Sequence, residues 1–396
     1  MKTKIKTIID KNYKEVPKEE YFRSFFKANN MEENTTVETN IQIQNMNVSG
    51  EQDILNFWKS EPNLYYNLSF ETVLNSFGGY YDPSKISKRE IVSTIMKGLE
   101  RKLEEGKQIY GYNIQLFNIS KINQKIKIGD FEIINKNEFL NLFESDVAKK
   151  WRGKNTSDDT VFWSCTLPVS EKYRGLELVE KYIELFINTI RVLYMVTDPK
   201  ESINFFNGNE QSYRDITIIN ESGIATGPSK VDKRFKIVNL QDKRFKEFDP
   251  IWDKLFRINT ENNEIFKRIQ TSLMWLGESM EENRTEQAFV KAIFSLEGII
   301  GKKNSGGIAE SLSTNVAVIL CSDYESRMKM KKKVKRLYSV RSKAVHGESM
   351  ICSLQEYLDV CQIVRNIIFK FINDPEFNKF DKFDQIEQKI NKTLFS

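Results

Sequence analysis

One histidine occurs in the 396 residues, His346, and it stands five positions after an arginine in Leu337-Tyr338-Ser339-Val340-Arg341-Ser342-Lys343-Ala344-Val345-His346-Gly347. An imidazole titrates near neutrality and can both take and return a proton. A guanidinium presents a rigid fork of donors to a phosphate. Together they supply the parts of metal-free RNA cleavage: the imidazole takes the 2′-hydroxyl proton or protonates the leaving oxygen, while the guanidinium holds the phosphate and neutralises charge developing on it. The same count removes other chemistry, because a single histidine excludes every multi-histidine metal site within one chain. The four cysteines, Cys165, Cys321, Cys352 and Cys361, contain no Cys-x-x-Cys pair. Zinc ribbons and disulfide scaffolds are therefore not expected, and a reducing compartment is. Neither a metal nor a cofactor is called for.

The segment leading to the histidine carries the densest charge in the chain. Arg327, Lys329, Lys331, Lys332, Lys333, Lys335, Arg336, Arg341 and Lys343 put nine basic residues in seventeen positions. Met330, Val334, Leu337 and Tyr338 thread an apolar stripe through them, so one face can pack while the others present cations. Lys331, Lys332, Lys335, Arg336, Lys343 and Tyr338 are the expected RNA contacts. A Lys-rich helical run is ordinarily a solvated face, and the net charge of +5 argues for no polyanion by itself. What gives the run direction is the arginine and histidine beside it. In an uninterrupted helix Arg341 and His346 lie about 140° apart around the axis and about 7.5 Å along it. They converge on one phosphate only if the helix ends between them or a second subunit supplies the partner residue.

The elements that position these residues follow from pattern. Gly347 is a natural helix terminator, which puts His346 at a helix C-terminus, where partial negative charge favours imidazolium. From Asp249 onward the texture is helical. Stripes run through Ile265, Phe266, Ile269, Leu273 and Leu276, then Phe289, Ala292, Ile293, Leu296 and Ile300, then Val316, Ile319 and Leu320, with a last strong helix entering at the capping box Ser353-Leu354-Gln355-Glu356. Four to five antiparallel helices predict a bundle.

The preceding half is mixed. Leu178 to Val196 predicts a long core helix, and helices are expected around Ile91 to Leu103 and Glu138 to Val147. Lys125–Ile128, Gly129-Asp130 and Phe131–Ile134 have the form of a hairpin. Tyr112 to Phe117 and Asp215 to Ile219 are strand-like, and Val37 to Val48 predicts a strand bulged at Gln44-Asn45. The expected class is α+β: a mixed α/β domain over 1–245 and an all-α helical bundle over 246–396. Trp58, Trp151 and Trp163 are either core residues or base-stacking ones. No apolar run approaches the roughly 18 residues of a membrane span, and the basic N-terminus lacks the apolar stretch of a signal peptide, so a cytoplasmic protein with no membrane association is expected.

Residues from about 250 to 375 resemble the Apea-like branch of the HEPN superfamily of nucleotide-binding helical domains. Ala292-Ile293-Phe294-Ser295-Leu296-Glu297-Gly298-Ile299-Ile300 is similar to that family's Ala-Leu-Glu helix. Leu-Tyr-x-x-Arg-Ser-x-x-x-His-Gly at Leu337 to Gly347 is similar to its signature, and the helix with Leu358, Val364 and Arg365 to its closing helix. Asn315 departs from the pattern, standing where many relatives have an arginine. The resemblance implies a HEPN-type bundle and a metal-independent endoribonuclease, composite across a homodimer or higher homo-oligomer, that leaves a 2′,3′-cyclic phosphate. It implies Arg341 as the phosphate-binding residue and His346 as acid/base. Ser342 takes the polar position after the arginine, and Glu297 orients the site or has a buried helix-capping or salt-bridging role. A toxin or abortive-infection effector against phage, restrained by its first half or a partner such as an antitoxin and activated by a phage-derived trigger, is the corresponding role. Two other readings stand beside it: a non-catalytic HEPN module that binds RNA or a nucleotide as scaffold or sensor, and a helical dimerisation unit serving an active first half.

Overall fold

The computed structural model describes residues 1–16, 43–46, 50–78, 86–105, 108–154, 157–195, 201–203, 215–220, 223–228, 234–235, 237–246, 248–257, 263–301, 307–345 and 352–395. In chain order they form α1 (Lys2–Asn12), β1 (Tyr13–Val16), β2 (Ile43–Met46), α2 (Glu51–Ser60), α3 (Pro62–Asn67), α4 (Phe70–Phe77), α5 (Lys88–Glu105) and β3 (Gln108–Leu116). Next come β4 (Ile126–Ile128), β5 (Phe131–Asn135), α6 (Lys136–Leu140), α7 (Asp146–Lys154), β6 (Val161–Val169), α8 (Lys172–Tyr194), β7 (Glu201–Ser202), β8 (Asp215–Asn220), β9 (Gly223–Pro228) and β10 (Arg234–Phe235). The remainder is helical: α9 (Lys243–Lys246), α10 (Asp249–Leu255), α11 (Glu264–Ser279), α12 (Thr285–Ile300), α13 (Ile308–Leu320), α14 (Tyr324–Val345), α15 (Leu354–Asn373) and α16 (Phe383–Phe395). The class is α+β. Among the described residues no helix is long and apolar enough to cross a membrane.

Contacts divide the chain into two units, Met1–Tyr112 with Thr166–Val179, and Asn113–Cys165 with Glu180–Ser396. The compositional boundary near residue 245 falls within the second. In the first unit, short amphipathic helices close over Ile5, Ile9, Ile54, Phe57, Val73, Phe77, Ile91 and Leu99. Trp58 belongs to that core; its indole N–H donates to the Leu68 carbonyl at 2.9 Å. The Arg174 guanidinium lies 4.8 Å from its ring and 4.6 Å from that of Tyr65. β1 and β2 pair in unbroken antiparallel register from Tyr13↔Met46 to Val16↔Ile43. Gln44 and Asn45 each have a partner there, so the expected bulge is absent. The described ladder is four residues long, and the alternation at Val37 to Ile41 and at Val48 lies outside the described residues.

The main sheet is ordered β3-β6-β5-β4, with β4, β5 and β6 antiparallel; β4, β5 and residues 113–116 and 161–165 of β3 and β6 belong to the second unit. The hairpin turns at Gly129-Asp130, where Gly129 takes φ 62°, a left-handed value that glycine adopts without cost. β6 escaped the pattern reading because Pro168 within it argues against a strand. Its alternate residues Val161, Trp163, Cys165, Leu167 and Val169 are nonetheless buried. Trp163 is wholly enclosed, stacked on Phe131 at 4.9 Å and against Phe186 at 4.9 Å, which makes it core. The helix expected from Glu138 to Val147 is two: α6, begun by an Asn135/Glu138 capping box, ends at Leu140, and α7 starts at Asp146.

The helical stripes read from sequence are buried as expected apart from Phe266 and Leu320, which are half-buried. α12 is central, lying against α11, α14 and α15, with Phe289, Ala292, Ile293, Leu296 and Ile300 at most 1% exposed. Burial of a side chain such as Leu296 contributes about 1.5–3 kcal/mol. α11 is fixed at its start by Asn263, whose side-chain oxygen accepts the Phe266 N–H at 2.9 Å. Further along, Gly277 meets α8 so closely that a Cβ there would stand 2.4 Å from Asn188 Cβ. The box at α15 is present: Glu356 accepts the Ser353 N–H at 2.9 Å and donates its own N–H to Ser353 Oγ at 3.2 Å.

Candidate active site

α12 and α14 bring together three of the residues singled out from sequence. Val334 and Leu337 are the buried positions of α14, 1% and 0% exposed. They turn Tyr338 and Arg341 toward α12, where Phe294 and Glu297 lie three residues apart and so share a face. The Arg341 guanidinium stands 5.4 Å from the Phe294 ring and 5.6 Å from the Tyr338 ring. Its Nη2 is 3.5 Å from Glu297 Oε1. Both side chains are largely withdrawn from solvent, with 20% of Arg341 and 25% of Glu297 exposed. The ion pair is not hydrogen-bonded: among the described residues, Arg341 Nε and Glu297 Oε1 are buried and make no hydrogen bond. Burial holds the Tyr338 hydroxyl above the ordinary phenol range, and the Glu297 charge with its hydrogen bond adds to the effect. Tyr338 is thus an uncharged phenol beside the carboxylate.

Chemically, this is a cation fixed by two aromatic faces and held loosely by one carboxylate. A phosphate brought to this guanidinium would have to compete with Glu297 for it. Ser342 is half-buried on the same turn. His346 and Gly347 lie outside the described residues, as does the side chain of Lys343. Asn315, where an arginine was anticipated, is 8% exposed, and its side-chain N–H donates to the Ile300 carbonyl at 3.4 Å, so it closes the end of α12. In α15, Val364 is fully buried and the Arg365 guanidinium lies 4.6 Å from the Phe369 ring.

Beside Glu297 a cavity of about 420 Å³ opens between α11 and α12, bordered by Lys267, Arg268, Thr271 and Gly298. Arg268 is committed to the framework: Nε to Glu264 at 3.0 Å, Nη1 to the Gly298 and Gly301 carbonyls at 3.3 and 2.9 Å, and its face 4.0 Å from the Phe383 ring. A larger cavity of about 600 Å³ is walled by Lys125, Lys127, Lys246 and Asp249. At its floor Phe245 and Trp252 are each 2% exposed, so they offer no face for base stacking. Among the described residues no three His, Cys, Asp or Glu side chains gather as metal ligands.

The expected RNA contacts are not equivalent. Lys331 is 2.6 Å from Glu310 Oε1, and Lys335 pairs with Oε2 of the same carboxylate. These bonds hold Glu310 down at about 2. Lys333 pairs with Asp359 at 3.0 Å, and Arg336 stands 4.0 Å from Glu356. Lys332 is exposed. Two participants were not assigned from sequence. Phe294 had a signal in its three-residue spacing from Glu297; Glu310, at the start of a different helix, had none. No family model, no curated protein and no solved structure matches this chain, so its functional reading rests on its own residues.

Proposed function

We propose that the chain is a HEPN-type, metal-independent endoribonuclease with Arg341 as the phosphate-binding residue and His346 as acid/base. The supporting observation is the meeting of Arg341, Glu297 and Tyr338 between two helices. It lies five residues before the sole histidine, on the helix with the densest cationic run. In the reaction the 2′-oxygen attacks phosphorus and gives its proton to an imidazole. The bond from phosphorus to the 5′-oxygen breaks, and that oxygen leaves with a proton. The products are a 2′,3′-cyclic phosphate and a 5′-hydroxyl end. Arg341 neutralises charge on the phosphate, and Glu297 with Tyr338 sets the position of the guanidinium. One chain brings one imidazole, so separate acid and base require two copies, and a homodimer completes the site. The bundle is the part after about residue 245, and the part before it acts as sensor or specificity module. On the resemblance alone, the setting is a cytoplasmic toxin or abortive-infection effector under the control of an antitoxin or phage-derived trigger.

The second reading, a non-catalytic HEPN module that binds RNA or a nucleotide, is favoured by the Arg341–Glu297 pair, since a guanidinium already paired has less to offer a phosphate. Purified protein incubated with RNA in EDTA separates the two. Cleavage to cyclic-phosphate ends that is lost in His346→Ala supports the enzyme. Salt-dependent binding without turnover, unchanged in His346→Ala, supports the module.

A further inference from the structure

The distribution of partners along α14 divides its cations into two sets. Lys331 and Lys335 are one turn apart and close on Glu310 of α13, and Lys333 closes on Asp359 of α15. These three side chains are engaged by two carboxylates of the bundle. Lys329 and Lys332 are exposed and have no carboxylate partner within ion-pair distance among the described residues. Arg336 is 62% exposed, with its nearest carboxylate at 4.0 Å. At 100° per residue these three fall within about 60° of one another and rise by about 4.5 Å and then 6 Å along the axis. They form a straight, outward-facing stripe. Glu325 and Ser339, on the same face and also exposed, bound it at either end.

We infer that Lys329, Lys332 and Arg336 are the surface that grips the backbone of single-stranded RNA, and that Lys331 and Lys335 belong to the fold. The inference rests on the RNA reading of the preceding section and names the face that serves it. Lys329 was not among the contacts expected from sequence, and two that were, Lys331 and Lys335, are excluded. The stripe carries no aromatic side chain, so it reads charge and not bases, and its binding is indifferent to sequence. Glu310 gains a defined role: its one carboxylate holds two lysines in place and offsets one of their two charges, which keeps them from widening the cationic face.

Counterion release makes this measurable. Each phosphate neutralised on a single strand adds about 0.7 to the slope of log affinity against log salt. A 2′-O-methylated RNA oligonucleotide cannot form the cyclic phosphate, so binding to the full-length protein can be followed by fluorescence polarisation from about 50 to 200 mM salt without cleavage. Lys329→Gln/Lys332→Gln/Arg336→Gln is expected to flatten the slope by about 2, and Lys331→Gln/Lys335→Gln by less than about 0.5. Glu310→Gln frees two lysines and is expected to steepen it by about 1.4. A Lys331/Lys335 effect equal to or larger than that of the stripe overturns the inference while leaving RNA as the partner. Salt-independent or absent binding by the unsubstituted protein overturns the RNA reading itself.

Discussion

Removing the charge of Glu297 tests the arrangement around Arg341 most directly. Two unit charges 3.5 Å apart interact by about 5 kcal/mol at an effective dielectric constant of 20 and by about 1 kcal/mol in bulk water. With 20% of Arg341 and 25% of Glu297 exposed and no hydrogen bond joining them, desolvation takes back most of the larger figure. A coupling of about 1–2 kcal/mol remains. The two aromatic faces, worth about 0.5–1 kcal/mol each, survive Glu297→Gln and keep the guanidinium in place. Because the chain comprises two units, global unfolding need not be two-state, and hydrogen exchange of peptides from α12 and α14 is the appropriate measure. Glu297→Gln should speed exchange of both helices about five- to thirtyfold. Arg341→Met, which also gives up the cation–π contacts, should do at least as much, and the double variant should fall short of the sum by the coupling energy. Additivity of the two substitutions within about 0.3–0.5 kcal/mol would show that the residues are neighbours without being partners, and the account of Glu297 as a competitor for phosphate would fail with it.

Other consequences are narrower. Gly277→Ala places a methyl group 2.4 Å from Asn188 Cβ and 2.5 Å from its Cα, so α8 and α11 must part; hydrogen exchange of peptides from these two helices should report a loss of about 1–3 kcal/mol despite the better helix propensity of alanine. Glu310, held at about 2 against an ordinary 4.5, stabilises the fold above its unfolded value, and that contribution is lost as pH falls through the folded one. The melting temperature of the wild type should therefore exceed that of Glu310→Gln by a constant margin above about pH 5, and the margin should vanish toward about pH 2; parallel curves over that window would deny the lysine clamp.

What the sequence disclosed and what it withheld have different physical origins. The long helices were legible because each buries one stripe, and the hairpin because Gly129-Asp130 separates two apolar runs. The box at Ser353 and Glu356 is a local signal that needs no tertiary knowledge. β6 was hidden by its proline, and α2 to α4 are too short for a stripe to rise above composition. The return of Thr166–Val179 to the first unit is a non-local event with no mark in residue type. At the candidate site the nearness of Arg341 and Glu297 was anticipated through the resemblance. The pairing of Lys331 and Lys335 with Glu310 was not, although their spacing of one turn already required them to face the same neighbour.

The stripe and the arginine point in different directions, and this constrains how any cleavage proceeds. Arg341 is turned about 120° to 180° from Lys329, Lys332 and Arg336 around α14. A helix with its side chains is about 10–12 Å across. An RNA strand lying along the stripe cannot touch Arg341 through the body of the same helix. It reaches a guanidinium in one of two ways: by passing round the C-terminal end of α14, toward which the sequence runs from Arg341 to His346 and Gly347, or by meeting Arg341 of a second copy. Either route separates the charges that hold RNA from the charge that acts on its phosphate. Under the proposed function, affinity would be set on the outer face of α14, and turnover on the face that α12 covers. Glu297, paired with Arg341 on that inner face, would then bear on turnover without being part of the grip.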